Sequence, residues 1–173
     1  MYHVGSTKRS RDSAELIYYG IAICAQQQPL ESITVSEIQR ITGVARTTFY
    51  RSFDSVQDVL EWKCDQYYLD FLAQLPADPR RKRSLQALSI SMLEYVEQNP
   101  ELPLFLISQE RIMMLLSRYQ DLIPYFEDGP DELSPYSVLL SWVAPILLIL
   151  CKSQYELTDT PKEIVAKLRR DSI

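Results

Sequence analysis

Glycine, histidine and cysteine are scarce in this sequence, and each scarcity removes a class of chemistry. Four glycines and one histidine among 173 residues leave little material for a Gly-rich phosphate loop, a His-centred triad or most zinc and iron sites. The three cysteines, Cys24, Cys64 and Cys151, are odd in number, far apart and form no C-x-x-C pair. They predict a reduced, cytoplasmic chain whose thiols pack as small apolar groups, with no disulfide. Long hydrophobic runs are also missing. The longest, Val138 to Cys151, contains Ser141 and Pro145 and falls short of the roughly 18 residues that span a bilayer, so no membrane partner is expected. The polar, basic start from Met1 to Arg11 does not read as a signal peptide. Glu101, Glu110, Glu127 and Asp128 offer no carboxylate pair with an argument for proximity. Enzymatic turnover, cofactors and metals are therefore not expected.

What the sequence does have is helical periodicity. Apolar residues make up 46% and charged residues 24%, the balance of a globular chain. Ala14, Ile17, Ile21 and Cys24 recur every three or four residues, as do Leu85, Leu88, Met92 and Val96, while sustained period-two alternation is absent. The pattern predicts an all-α protein. Its helices are expected near 11–27, 35–41, 45–52, 55–75, 82–98, 101–107, 108–119, 135–152 and 161–170, with a break from Pro76 to Pro79.

Charge is divided unevenly along this plan. The chain holds 18 basic and 23 acidic side chains, a net of −5. Residues 1–53 carry six basic groups (Lys8, Arg9, Arg11, Arg40, Arg46, Arg51) against four acids (Asp12, Glu15, Glu31, Glu37), or +2, which leaves −7 for the rest. A nucleic-acid partner would thus meet only the N-terminal faces.

The segment from Thr34 to Phe53 carries the strongest local signals. Thr34 followed by Glu37 reads as a capping box that starts a helix. Val35, Ile38 and Ile41 give that helix one apolar face, and Gly43 supplies the left-handed residue that ends it. From Arg46 a second short helix presents Arg46, Thr47, Thr48, Tyr50 and Arg51 as polar groups, while Phe49 and Phe53 bury the other side. Helix, tight turn and helix with one polar face is the helix-turn-helix plan, whose second helix enters the DNA major groove.

Ile33-Thr34-Val35, Ile38, Gly43-Val44, Arg46, Thr48-Phe49-Tyr50, Phe53 and Asp58-Val59-Leu60 together resemble the DNA-binding domain of the tetracycline-repressor family of bacterial regulators. The resemblance spans about residues 10–63. It implies an N-terminal three-helix helix-turn-helix domain over 1–54, followed by a helical effector-binding and dimerisation domain over 55–173. It further implies a repressor that binds a near-palindromic double-stranded operator as a homodimer. The DNA-facing set is Thr34, Arg46, Thr47, Thr48, Tyr50, Arg51 and Ser52. Arginine can grip a guanine edge or a phosphate, threonine can exchange hydrogen bonds or pack on a thymine methyl, and Tyr50 and Thr34 suit phosphate. The chain departs from the family at Ala45, where a capping Ser is common, at Thr47, Ser52 and Val56, and at Pro29, where the first turn must be built without glycine. These departures leave room for a second reading, a regulator-derived interaction protein that acts through a protein partner. Lys8, Arg9 and Arg11 fit equally an arm reaching a phosphate and an ordinary solvated terminus.

In the second part, Tyr67, Phe71, Tyr95, Phe105, Met113, Met114 and Trp142 are candidate walls of a pocket for an apolar or aromatic effector, and equally candidates for plain core packing. The apolar stretch with Leu139, Trp142, Val143, Ile146, Leu147 and Leu150, joined by Ile164 and Leu168 of the last helix, resembles the family's dimer-forming pair. Pro145 is expected to kink it. The run Arg80-Arg81-Lys82-Arg83 reads best as a solvated loop.

Overall fold

A computed structural model of the chain describes residues 1–75, 85–118 and 158–170, with single positions at 144, 145, 148 and 152. Its described residues are helical, with one isolated antiparallel bridge between Tyr2 and Phe53. Leu139, Trp142, Val143, Ile146, Leu147, Leu150 and the Arg80–Arg83 run lie outside the described residues, as does the side chain of Leu168.

The first helix, α1 (Lys8–Cys24), starts a turn earlier than periodicity predicts because the Thr7 hydroxyl caps it, accepting from the Ser10 N–H at 3.2 Å. Ala14, Ile17, Gly20, Ile21 and Cys24 form its buried face. It ends without glycine. The amides of Ala25 to Gln28 bond back to Ile21, Ile23 and Cys24 carbonyls, and Pro29 then leads into a 3-10 turn over Leu30–Ser32.

Next, α2 (Val35–Thr42) opens with the expected capping box. Glu37 N–H donates to Thr34 Oγ1 at 3.3 Å, and Thr34 N–H donates to Glu37 Oε2 at 2.8 Å. These bonds to Thr34 hold the Glu37 carboxyl below its ordinary pKa. At the far end Gly43 takes φ 73° and donates to Gln39 O at 2.8 Å, the left-handed stop that a side chain disfavours. Only Gly43, Val44 and Ala45 separate α2 from α3 (Arg46–Ser52).

The long α4 (Val56–Gln74) begins with a second capping box. Asp58 N–H donates to Ser55 Oγ at 3.2 Å, and Asp58 Oδ2 accepts from the amides of Asp54 and Ser55 at 3.0 and 3.1 Å. After it come α5 (Leu85–Gln98), α6 (Glu101–Ser108), the single turn α7 (Met113–Leu116) and α8 (Pro161–Arg170). The helix expected over 108–119 is thus much shorter than its apolar pattern suggests. Glu110, at φ 56°, breaks it where Arg111 N–H bonds to Leu106 O at 2.7 Å.

Packing follows from these faces. Helix α1 lies against α2, α3 and α4, α4 against α7, and α5 against α8. One core gathers Ile17, Ile21, Ile38, Phe49, Phe53 and Trp62; another gathers Cys64, Tyr67, Phe71, Met92, Tyr95 and Leu106. Helix α4 contributes to both, its first half to one and its second half to the other. The two cores also share Tyr18, whose ring meets Phe105 edge-on at 5.8 Å. At Gly20 the α1 and α2 backbones come so close that a Cβ would lie 2.6 Å from Thr42 Cγ2 and 3.2 Å from Ile38 Cγ2.

Candidate nucleic-acid interface

Phe49 and Phe53 decide how α3 sits. Both are almost completely buried, with their rings 6.0 Å apart, and Phe53 meets Trp62 of α4 at 6.0 Å. Anchoring one side of a two-turn helix this firmly turns the other side outward. Arg46, Thr47, Tyr50 and Arg51 are exposed, Tyr50 by 52%, and Thr48 is half-buried. Tyr50 is held edge-on against Phe49, 5.4 Å between centroids, so its phenol has a fixed base.

Ser52 departs from the expectation. It is only 4% exposed, because the seven-residue α3 turns its last residue inward beside Phe53. Its backbone carbonyl accepts from His3 N–H at 2.7 Å, so its contribution is to seat the N-terminal segment. Thr34 is exposed, but its hydroxyl is committed to the α2 cap, accepting from Glu37 N–H and donating to Glu37 Oε2 at 2.7 Å. Ala45 provides no side-chain cap to α3. Just ahead of α4 the Asp58 carboxylate accepts from the amides of Asp54 and Ser55. Burial pushes the Asp58 pKa up, but the Met1 amino group and the Asp54 and Ser55 partners outweigh it and leave the value lowered.

The N-terminal segment is the feature least visible in the sequence. Residues 1–5 run back along the end of α3 as an ordered arm. Tyr2 pairs with Phe53 across the isolated bridge, and Tyr2 Oη donates to Asp65 Oδ2 at 2.6 Å. The Met1 amino group reaches Asp58 Oδ1 at 2.8 Å, and Gly5 N–H donates to Ser10 Oγ at 2.9 Å. Burial and the bond to Asp65 push the Tyr2 phenol up to about 12. Asp65 also meets Arg118 Nε at 2.5 Å, so one carboxylate holds the arm from one side and the segment after α7 from the other.

The electrostatic pattern is asymmetric. Within residues 1–53, Glu15 is bound by Lys63 of α4 at 2.7 Å, Glu31 by Arg111, and Glu37 by its own cap. Among the described residues, none of Lys8, Arg9, Arg11, Arg40, Arg46 and Arg51 forms an ion pair. Two of the segment's four acids, Glu15 and Glu31, are thus neutralised from outside it while its Lys and Arg side chains stay open, so its outward field exceeds what a net of +2 suggests.

The residues considered for an effector pocket fall into different settings. Tyr67, Phe71 and Tyr95 pack on one another, with Tyr95 4.9 Å from Tyr67 and 5.4 Å from Phe71. Tyr67 Oη donates to Asn99 O at 3.0 Å and Tyr95 Oη to Tyr67 O at 3.1 Å. Burial raises both phenols, that of Tyr95 to about 12. Phe105 and Met114 are half-buried between the two cores. Met113, on the single-turn α7, is 68% exposed. Of the residues considered for a dimer interface, Ile164 is buried within the chain against Leu93 of α5. That contact leaves it little surface to offer a second copy.

Among the described residues no helix is long and apolar enough to cross a membrane. No protein-family model matches the chain, and comparison with curated proteins finds no match.

Proposed function

We propose that the protein is a DNA-binding transcriptional regulator of the tetracycline-repressor type, with α2 and α3 as its helix-turn-helix and α3 as the helix that enters the major groove. The observation that carries this reading is the electrostatic asymmetry of residues 1–53. Open arginines lie on and around a helix whose opposite side is locked into a core, while neighbouring acids are neutralised from α4 and the α6–α7 connection. Arg46, Thr47, Tyr50 and Arg51 then supply base and phosphate contacts, with Thr48 at the edge of the same face. Two copies related by a two-fold axis would read half-sites one helical turn apart, or a multiple of it. A small-molecule effector would act by favouring one spacing of the two DNA-binding units. Repression is the simplest outcome of operator occupancy.

The test is binding to DNA flanking the protein's own gene, measured by fluorescence anisotropy across a salt series and by footprinting. Arg46→Ala and Tyr50→Ala are expected to lower affinity for the protected site by about 1–3 kcal/mol each, with unchanged thermal stability. Affinity should fall steeply with salt and prefer one sequence over bulk DNA. Salt-insensitive association with no sequence preference would replace this reading with that of a protein-partner module.

A further inference from the structure

Between the arm and α3 lies an open cleft of about 470 Å³ whose lining includes His3, Thr7, Arg9, Thr48 and Arg51. We infer that this cleft is a binding site for a phosphate group, supplied by a phosphodiester of the DNA backbone or by free inorganic phosphate. The DNA source rests on the proposed function above; the anion site itself does not.

Three observations converge on an oxyanion. First, the lining brings together two guanidinium groups and several hydroxyls from segments distant in sequence, and no carboxylate is among the lining residues. Guanidinium offers up to five donors and no acceptor, in a fork that matches phosphate oxygens. Second, neither Arg9 nor Arg51 has an ion-pair partner among the described residues, so both charges are available to a ligand. Third, the cleft has built walls. His3 N–H is tied to Ser52 O, Tyr2 to Phe53 and Asp65, and Gly5 N–H to Ser10 Oγ, so the arm holds its position before any ligand arrives. The nearest acid to the imidazole, Asp54, lies 3.9 Å from His3 Nε2 and is also approached by the Met1 amino group at 3.5 Å. Thr48 and Arg51 belong to α3 itself, so an anion in the cleft lies at the flank of the exposed α3 face, where the backbone of a duplex seated on that face would run.

His3 is the single histidine of the chain and gives one unambiguous imidazole NMR signal at the site. The first arm of the test titrates inorganic phosphate at fixed pH and ionic strength. The His3 signal should shift saturably in the wild type, and Arg9→Ala and Arg51→Ala should each weaken that response about tenfold, the loss of one charge-assisted contact. Lys162→Ala, which removes the same charge from α8, should leave it unchanged. The second arm measures the salt dependence of binding to a short duplex of random sequence, where Arg9→Ala should reduce the slope by about one. A phosphate response without duplex binding assigns the cleft to free phosphate and overturns the DNA reading alone. Duplex binding that Arg46→Ala weakens, with an Arg9→Ala slope and His3 signal like the wild type, overturns the cleft and leaves the DNA reading standing. Absence of both a saturable His3 shift and a slope change overturns the inference outright.

Discussion

In residues 1–54, Glu15, Glu31 and Asp54 each meet a cation while the Lys and Arg side chains form no ion pair among the described residues; in the rest of the described chain the cations Lys63, Arg111, Arg118, Lys152 and Lys167 meet a carboxylate, and Lys162 does not. Two of those cations, Lys63 and Arg111, spend their charge on acids of the N-terminal part. The acidic part thereby increases the positive field of its neighbour, an effect that segment-by-segment charge counting cannot display. The aromatic cores differ as well. Phe49, Phe53 and Trp62 bury no hydroxyl, whereas the Tyr67–Phe71–Tyr95 group buries two, each donating to a backbone carbonyl. The first arrangement fixes a helix by shape alone. The second adds direction, because a phenol that loses its acceptor leaves a buried donor unsatisfied.

The sharpest way to break this comparison is to damage one core and watch the other. Phe53→Ala should cost about 3–5 kcal/mol, the usual loss for a fully buried aromatic. Because α4 serves both cores, a single cooperative transition at lower denaturant concentration is expected. Two separated transitions by fluorescence and circular dichroism would instead make the cores independent units. A smaller effect is expected at the α1–α2 crossing. Gly20→Ala places a methyl against Thr42, whose hydroxyl is held by Ile38 O at 2.8 Å and so resists turning away. It should destabilise by about 1–3 kcal/mol despite alanine's better helix propensity. A neutral or stabilising result in thermal melts would mean that the crossing yields.

Asp58→Asn probes where arm and helix cap meet and should cost about 1–2 kcal/mol. The sign with pH is fixed by the lowered folded pKa. The carboxylate's stabilisation is complete above its ordinary value of 3.8 and fades as pH falls through the lower folded value. Wild type and variant should therefore converge in stability in strong acid and differ most at neutral pH. Smallest is Ala45→Ser, which supplies the side-chain cap that α3 lacks and should stabilise by about 1 kcal/mol. Any accompanying change in DNA affinity would separate the geometry of α3 from its mere stability.

The parts of the interface legible in the sequence are those built from near neighbours. Thr34 with Glu37, Gly43 with the residues before it, and the Phe49–Phe53 pair each act within one or two turns, so spacing alone exposes them. Ser55 with Asp58 carries the same signature, three residues apart on one turn. Gly20 carries no such signal, since its partner Thr42 lies on another helix. Ser52 illustrates the opposite error: a polar residue on a polar helix was expected outward, but the short α3 and the buried Phe53 beside it turn it inward.

The sequence by itself determined the all-helical character, the capped α2, the glycine stop and the polar face of α3. Local hydrogen bonding and periodic burial specify those features wherever the segment is placed. Tertiary structure alone decided that the arm folds back onto α3, that Asp65 joins Tyr2 to Arg118, and that Arg9 and Arg51 border one cleft. Contacts between residues tens of positions apart depend on how the helices cross, and the crossings are set by the packed cores rather than by any local pattern.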